Sequence, residues 1–140
     1  MAYCTVNDLV VRFGEREIIN LSAPGQQAIN NAVIDKAIAD ASAEIDSYFS
    51  SRYQLPLTPI PTVLARTCAN MARYYLYNDK MNDAVKVSYD GSIRFLRDVS
   101  KGVVSLGVDA AGNSATQTES LAVVQSDKVV WSRKDSNGFI

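Results

Sequence analysis

The sequence predicts an all-α fold: a small bundle of four or five helices, tied by a proline-rich strap and followed by an extended C-terminal arm. Three observations carry this. First, Ile34, Ile38, Ala41, Ile45, Tyr48 and Arg52 recur at the alternating three-and-four spacing of one helix face. Second, Pro56, Pro59 and Pro61 forbid helix and push the residue before each into extended geometry. Leu55, Leu57 and Ile60 lie among those prolines, so the 53–61 strap is apolar enough to pack down. Third, the texture changes after Gly102, dividing the chain into a helical core at 1–102 and a linker with a C-terminal arm at 103–140.

The elements follow in order. Thr5 is a natural N-cap with Asp8 in the first turn. Leu9, Val10 and Phe13 form a short apolar face that Gly14 can end in left-handed geometry. Glu17 to Leu21 reads as a short helical turn, and Ser22 to Gly25 as a loop. The longest helix begins at Asn30 or Asn31 and runs to about Ser51. Pro61 and Thr62 restart a helix, since proline is tolerated at a helical N-terminus. Leu64, Cys68, Met71 and Tyr75 are its stripe, with Arg66, Asn70 and Arg73 elsewhere on the wheel. Asn78-Asp79-Lys80 breaks the pattern. A last helix over Asn82 to Lys101 buries Val85, Tyr89, Ile93, Leu96 and Val99, with Gly91 inside it at a cost of about 1 kcal/mol relative to alanine. Val103 to Val108 is apolar, and Asp109 to Thr118 has the small, polar composition of a linker. Leu121–Val124 and Lys128–Trp131 are β-branched runs compatible with a short β-hairpin through Gln125–Asp127.

Composition narrows the function classes. The 140 residues suit one domain, and 47% hydrophobic with 21% charged residues is ordinary for a globular protein. Basic and acidic residues number 14 and 15. Neither part of the chain therefore has the positive excess that drives binding to phosphate backbones. No apolar run approaches the roughly 18 residues of a membrane span, and the N-terminal residues lack the pattern of a signal peptide. Cys4 and Cys68, far apart in sequence, fit reduced, buried thiols. With no histidine, the commonest general base, the commonest metal ligand and the partner of Ser–His or Cys–His nucleophiles are missing. Two cysteines alone build no structural zinc site, and the seven glycines never cluster into a phosphate loop. No catalytic residue, metal or cofactor is expected.

Four groups invite a functional reading. Tyr74, Tyr75 and Tyr77 suggest a stacking platform, but neighbours on a helix diverge, so packing is favoured. Asp40, Glu44 and Asp46 read as a solvated acidic face, with Asp40 and Glu44 an exposed i,i+4 pair. Arg94, Arg97 and Lys101 share a helix face, to meet water, a neighbouring subunit or DNA; Asp98 beside them dilutes the patch. In the arm, Val124, Val130, Trp131, Arg133, Lys134, Phe139 and Ile140 form a candidate partner interface. Trp131, Phe139 and Ile140 are costly to expose, and folding back onto the core or inserting into a partner would equally cover them.

Several ordered stretches resemble one family. They are Tyr3-Cys4-Thr5 with Asp8-Leu9 and Arg12-Phe13-Gly14, the segment Ala39–Tyr48, Arg52–Pro56, and Arg94–Asp98 with Gly102. Ser132–Asp135 with Gly138-Phe139 extends the likeness to the terminus. Together they resemble the Mu-like prophage connector family, encoded among head and tail morphogenesis genes of phages and prophages. The resemblance implies a head–tail connector, also called an adaptor or head-completion protein. Such proteins assemble in the host bacterial cytoplasm and form a ring, usually of twelve copies, at the virion neck. The implied partners are copies of the chain itself, the portal protein and downstream neck or tail proteins. Packaged DNA would pass through the channel without sequence recognition. A small cytosolic nucleic-acid-binding regulator, using Arg94, Arg97 and Lys101, is the alternative.

Overall fold

The computed structural model describes residues 1–80 and 82–108. Five α-helices follow in order: α1 (Val6–Phe13), α2 (Glu15–Ser22), α3 (Asn31–Phe49), α4 (Thr62–Tyr77) and α5 (Asp83–Ser100), with a 3-10 turn at Asn78–Lys80. The all-α expectation holds. Arm and hairpin, and with them Val124, Val130, Trp131, Arg133, Lys134, Phe139 and Ile140, lie outside the described residues.

Local chemistry explains the helix ends. Thr5 and Asp8 close a capping box: the Asp8 backbone N–H donates to Thr5 Oγ1 (3.2 Å) and the Thr5 N–H to Asp8 Oδ2 (2.8 Å). Gly14, at φ +89°, ends α1 and starts α2 without an intervening loop, a backbone state that glycine adopts without steric penalty. The expected short turn at 17–21 is thereby a full eight-residue helix. Asn82 caps α5 through its side-chain oxygen, which accepts from the Ala84 N–H at 2.8 Å.

Helix α4 is central and touches each of the other four; α3 and α5 also pack on each other, while α1 and α2 cover one side of α3 and α4. This explains why α4 buries Thr67, Ala69 and Ala72 in addition to the expected Leu64, Cys68 and Met71. The α3 stripe is as read through Ile45, but its last buried member is Phe49, not Tyr48 or Arg52. The helix stops at Phe49, so Arg52 lies past its end and is exposed, and Tyr48 is half-buried. On α5, Val85, Ile93, Leu96 and Val99 are buried and Tyr89 half-buried.

The strap packs. Tyr53 and Leu57 are buried and Leu55 and Ile60 lie partly buried against the same core, while Gln54, Pro56, Thr58 and Pro59 face outward. The Leu55–Pro56 and Thr58–Pro59 bonds are cis. Past α5, Gly102 (φ +79°) turns the chain beneath the Arg52 guanidinium, where a Cβ would collide with that group. Val104, Leu106 and Val108 then return to the core.

Candidate assembly surface

The outer side of α3 and α5 carries a shallow groove of about 460 Å³ lined by Glu44, Tyr48, Tyr89, Asp90, Ile93, Arg94 and Arg97. Of its tyrosines, Tyr89 belongs to an aromatic cluster beside the groove. Tyr74 and Tyr89 stack with ring centroids 3.9 Å apart and planes at 13°, and Tyr75 meets both edge-on. The Tyr75 hydroxyl donates to Glu44 Oε2, and that of Tyr89 to Glu44 Oε1 at 3.4 Å. Burial, reinforced by the Glu44 carboxylate, pushes both phenols above the ordinary tyrosine value of 10.0.

One sequence reading is corrected here. Glu44 is not half of an exposed pair with Asp40: Asp40 is exposed, whereas Glu44 is half-buried between α4 and α5 because two phenols supply its hydrogen bonds. Asp46 is likewise half-buried and accepts from the Tyr3 hydroxyl. Those oxygens already have partners within the fold, and no group of three metal-ligating side chains occurs among the described residues. The aromatics pack, as the diverging directions of helix neighbours imply. Tyr74 and Tyr75 share one cluster, because Tyr89 arrives from α5 to bridge their diverging directions. Tyr77 points elsewhere: its hydroxyl donates to Glu17 Oε1 at 3.0 Å. Arg73 joins the same carboxylate at 2.6 Å and lies over the Phe13 ring at 4.4 Å, fastening α1 and α2 to α4. Periodicity placed Tyr89 and Tyr75 on inward stripes; their common partner, 45 and 31 residues away, had no sequence signal.

Arg94 and Arg97 are exposed, on the groove's rim, and form no ion pair among the described residues. Lys101 is exposed just past the end of α5 and does not line the groove. The rim thus carries two guanidiniums and, through Glu44 and Asp90, two carboxylates; Asp90 also pairs with Lys86 at 2.9 Å.

The two cysteines are free, buried and adjacent, with sulfurs 3.1 Å apart. The Cys4 thiol donates to Cys68, whose sulfur also meets the Ser42 hydroxyl at 3.5 Å. The donated bond and burial raise Cys4 above the usual thiol range; the same bond, with help from Ser42 and the backbone of Tyr3 and Cys4, lowers Cys68.

Known proteins agree with this picture at the level of family. The family described as "Bacteriophage Mu, Gp36" matches residues 3–125. Gene product J of Escherichia phage Mu is similar at 38% identity over 144 aligned positions, covering 100% of both chains. The Mu-like prophage FluMu protein gp36 of Haemophilus influenzae is 35% identical over 139 positions, covering 99% of this chain and 98% of its own. A match over most of the length, with two relatives aligned from end to end, shows that this chain belongs to the bacteriophage Mu Gp36 family.

Proposed function

We propose that this phage protein is structural: a head–tail connector whose copies form a ring between portal and tail in the virion neck. The observation that carries the proposal is the mixed-charge rim of the α3/α5 groove. Arg94 and Arg97 stand beside Glu44 and Asp90 on rigid helices. A face with both signs fixes register and orientation against a protein surface of complementary pattern. The same carboxylates would repel a phosphate backbone, which favours a subunit contact over DNA binding. A head-to-tail contact of this kind, repeated with a closing rotation, makes a ring. The C-terminal residues Trp131, Phe139 and Ile140 supply apolar anchors for portal or tail proteins. The framework is mechanical, and no step of catalysis is assigned to it.

The test is complementation of a phage lacking this gene, with particles viewed by electron microscopy. Wild type restores tailed particles containing the chain at the neck, whereas Arg94→Glu with Arg97→Glu leaves heads and tails separate despite a normal melting curve. Tailed, infectious particles made by the double variant would overturn the assigned surface. Particles that never contain the chain would overturn the connector role. Submicromolar, sequence-selective DNA binding at physiological salt would put the regulator in its place.

A further inference from the structure

We propose that Cys4 and Cys68 are a reversible oxidation site, at which hydrogen peroxide joins the two sulfurs and staples the N-terminal segment to α4. The residues are separated by 64 positions, yet their sulfurs lie 3.1 Å apart, about 1 Å beyond the bonded distance of a disulfide. Closing that gap asks for side-chain movement of the order that rotamer adjustment supplies. Buried cysteines in apolar surroundings are inert, but these are neither isolated nor sealed off. Their environment includes the Ser42 hydroxyl and the Ile38 carbonyl, 3.5 and 4.0 Å from Cys68 Sγ. Cys4, Ile38 and Ser42 also line a cavity of about 690 Å³, which gives a molecule as small as peroxide a route to the pair through Cys4.

The chemistry balances without any other reagent. The sulfur of Cys68, whose thiolate the Cys4 S–H bond stabilises, attacks one peroxide oxygen, the O–O bond breaks, and the departing hydroxide takes up the Cys68 proton as water. Cys68 is then a sulfenic acid. The sulfur of Cys4 attacks that of Cys68, the S–S bond forms, and the hydroxyl leaves with the Cys4 proton as a second water. Two thiols have given two electrons to one peroxide. A thiol reductant reverses the result by exchange.

The linkage acts on a segment now held by weaker means. In the reduced protein the Tyr3 N–H donates to Ser42 Oγ at 3.2 Å and its hydroxyl to Asp46. Met1, Ala2 and Cys4 to Asn7 form one wall of the same cavity. Oxidation turns that wall from a hydrogen-bonded strap into a covalent one, closing a loop of more than sixty residues and denying the unfolded chain much of its freedom.

The experiment uses the full chain, purified under reductant and treated with equimolar hydrogen peroxide. Denatured mass spectrometry should show a loss of two hydrogens per chain, with Cys4 and Cys68 in one linked peptide. The melting temperature should rise by about 10 °C or more and return on adding dithiothreitol. Cys4→Ser and Cys68→Ser, treated alike, should show no such rise; should either fail to fold, the wild-type mass and peptide map still decide. The proposal is overturned if both wild-type thiols remain alkylatable, if oxygen atoms add without linkage, if chains link to each other, or if the linked chain melts with the reduced one.

Discussion

Replacing Leu57 by alanine tests whether the strap is part of the core. Leu57 is 0% exposed, whereas its neighbours Pro56 and Thr58 are exposed. Removing a buried leucine side chain to Cβ costs about 2–5 kcal/mol, and the value depends on how far the site can collapse. Collapse is limited here. The strap is anchored by α3 at one end and α4 at the other, and Pro56 and Pro59 fix φ on either side of the residue. About 3–4 kcal/mol is therefore expected, a large part of the roughly 5–15 kcal/mol that separates a folded domain from its unfolded chain. At about 4–8 °C per kcal/mol for a body near 100 residues, the melting temperature should fall by about 12–30 °C. Circular dichroism melts and urea titrations of the full chain measure this, with the urea midpoint falling at constant slope. Leu55→Ala, at a half-buried position, should cost about half as much, and Thr58→Ala within about 0.5 kcal/mol of nothing. A Leu57→Ala shift no larger than that of Thr58→Ala would refute the packed strap.

Two glycines should respond to alanine with opposite signs. Gly91 lies on an exposed helical position where an added Cβ would meet nothing within 4 Å, so Gly91→Ala should stabilise by about 0.5–1 kcal/mol. Gly102→Ala should destabilise by about 1–2 kcal/mol through its φ of +79°, while the exposed Arg52 side chain can swing clear of the added Cβ; thermal melts distinguish the two. Glu44→Ala should cost about 1–2 kcal/mol by leaving the Tyr75 and Tyr89 hydroxyls without their acceptor, and a double-mutant cycle with Tyr75→Phe should recover a coupling above about 0.5 kcal/mol. Alkaline pH should unfold the protein. Burial raises Tyr3 and Tyr75 above their unfolded value of 10.0, so the folded state holds protons that the unfolded state releases. Stability from these groups is complete below about pH 10 and falls above it by about 1.4 kcal/mol per pH unit for each, a slope that urea titrations at stepped pH read directly.

What the sequence determined by itself is what depends on neighbours along the chain. The Thr5–Asp8 capping box, the glycine stop at Gly14, the prolines that end one helix phase and begin another, and the stripes of α4 and α5 are all local chemistry. They set the all-α class and most boundaries before any packing is considered. Reading failed where a residue's environment comes from a distant element. Phe49 outranks Tyr48 and Arg52 because α3 ends there and its last inward side chain is chosen by the core. Glu44 is drawn inward by phenols on α4 and α5, and a helical wheel of α3 contains neither. Cys4 and Cys68, remote in sequence, become neighbours because the N-terminal segment crosses α3 beside α4. Periodicity states which face of a helix turns inward; only the assembled helices decide what that face meets.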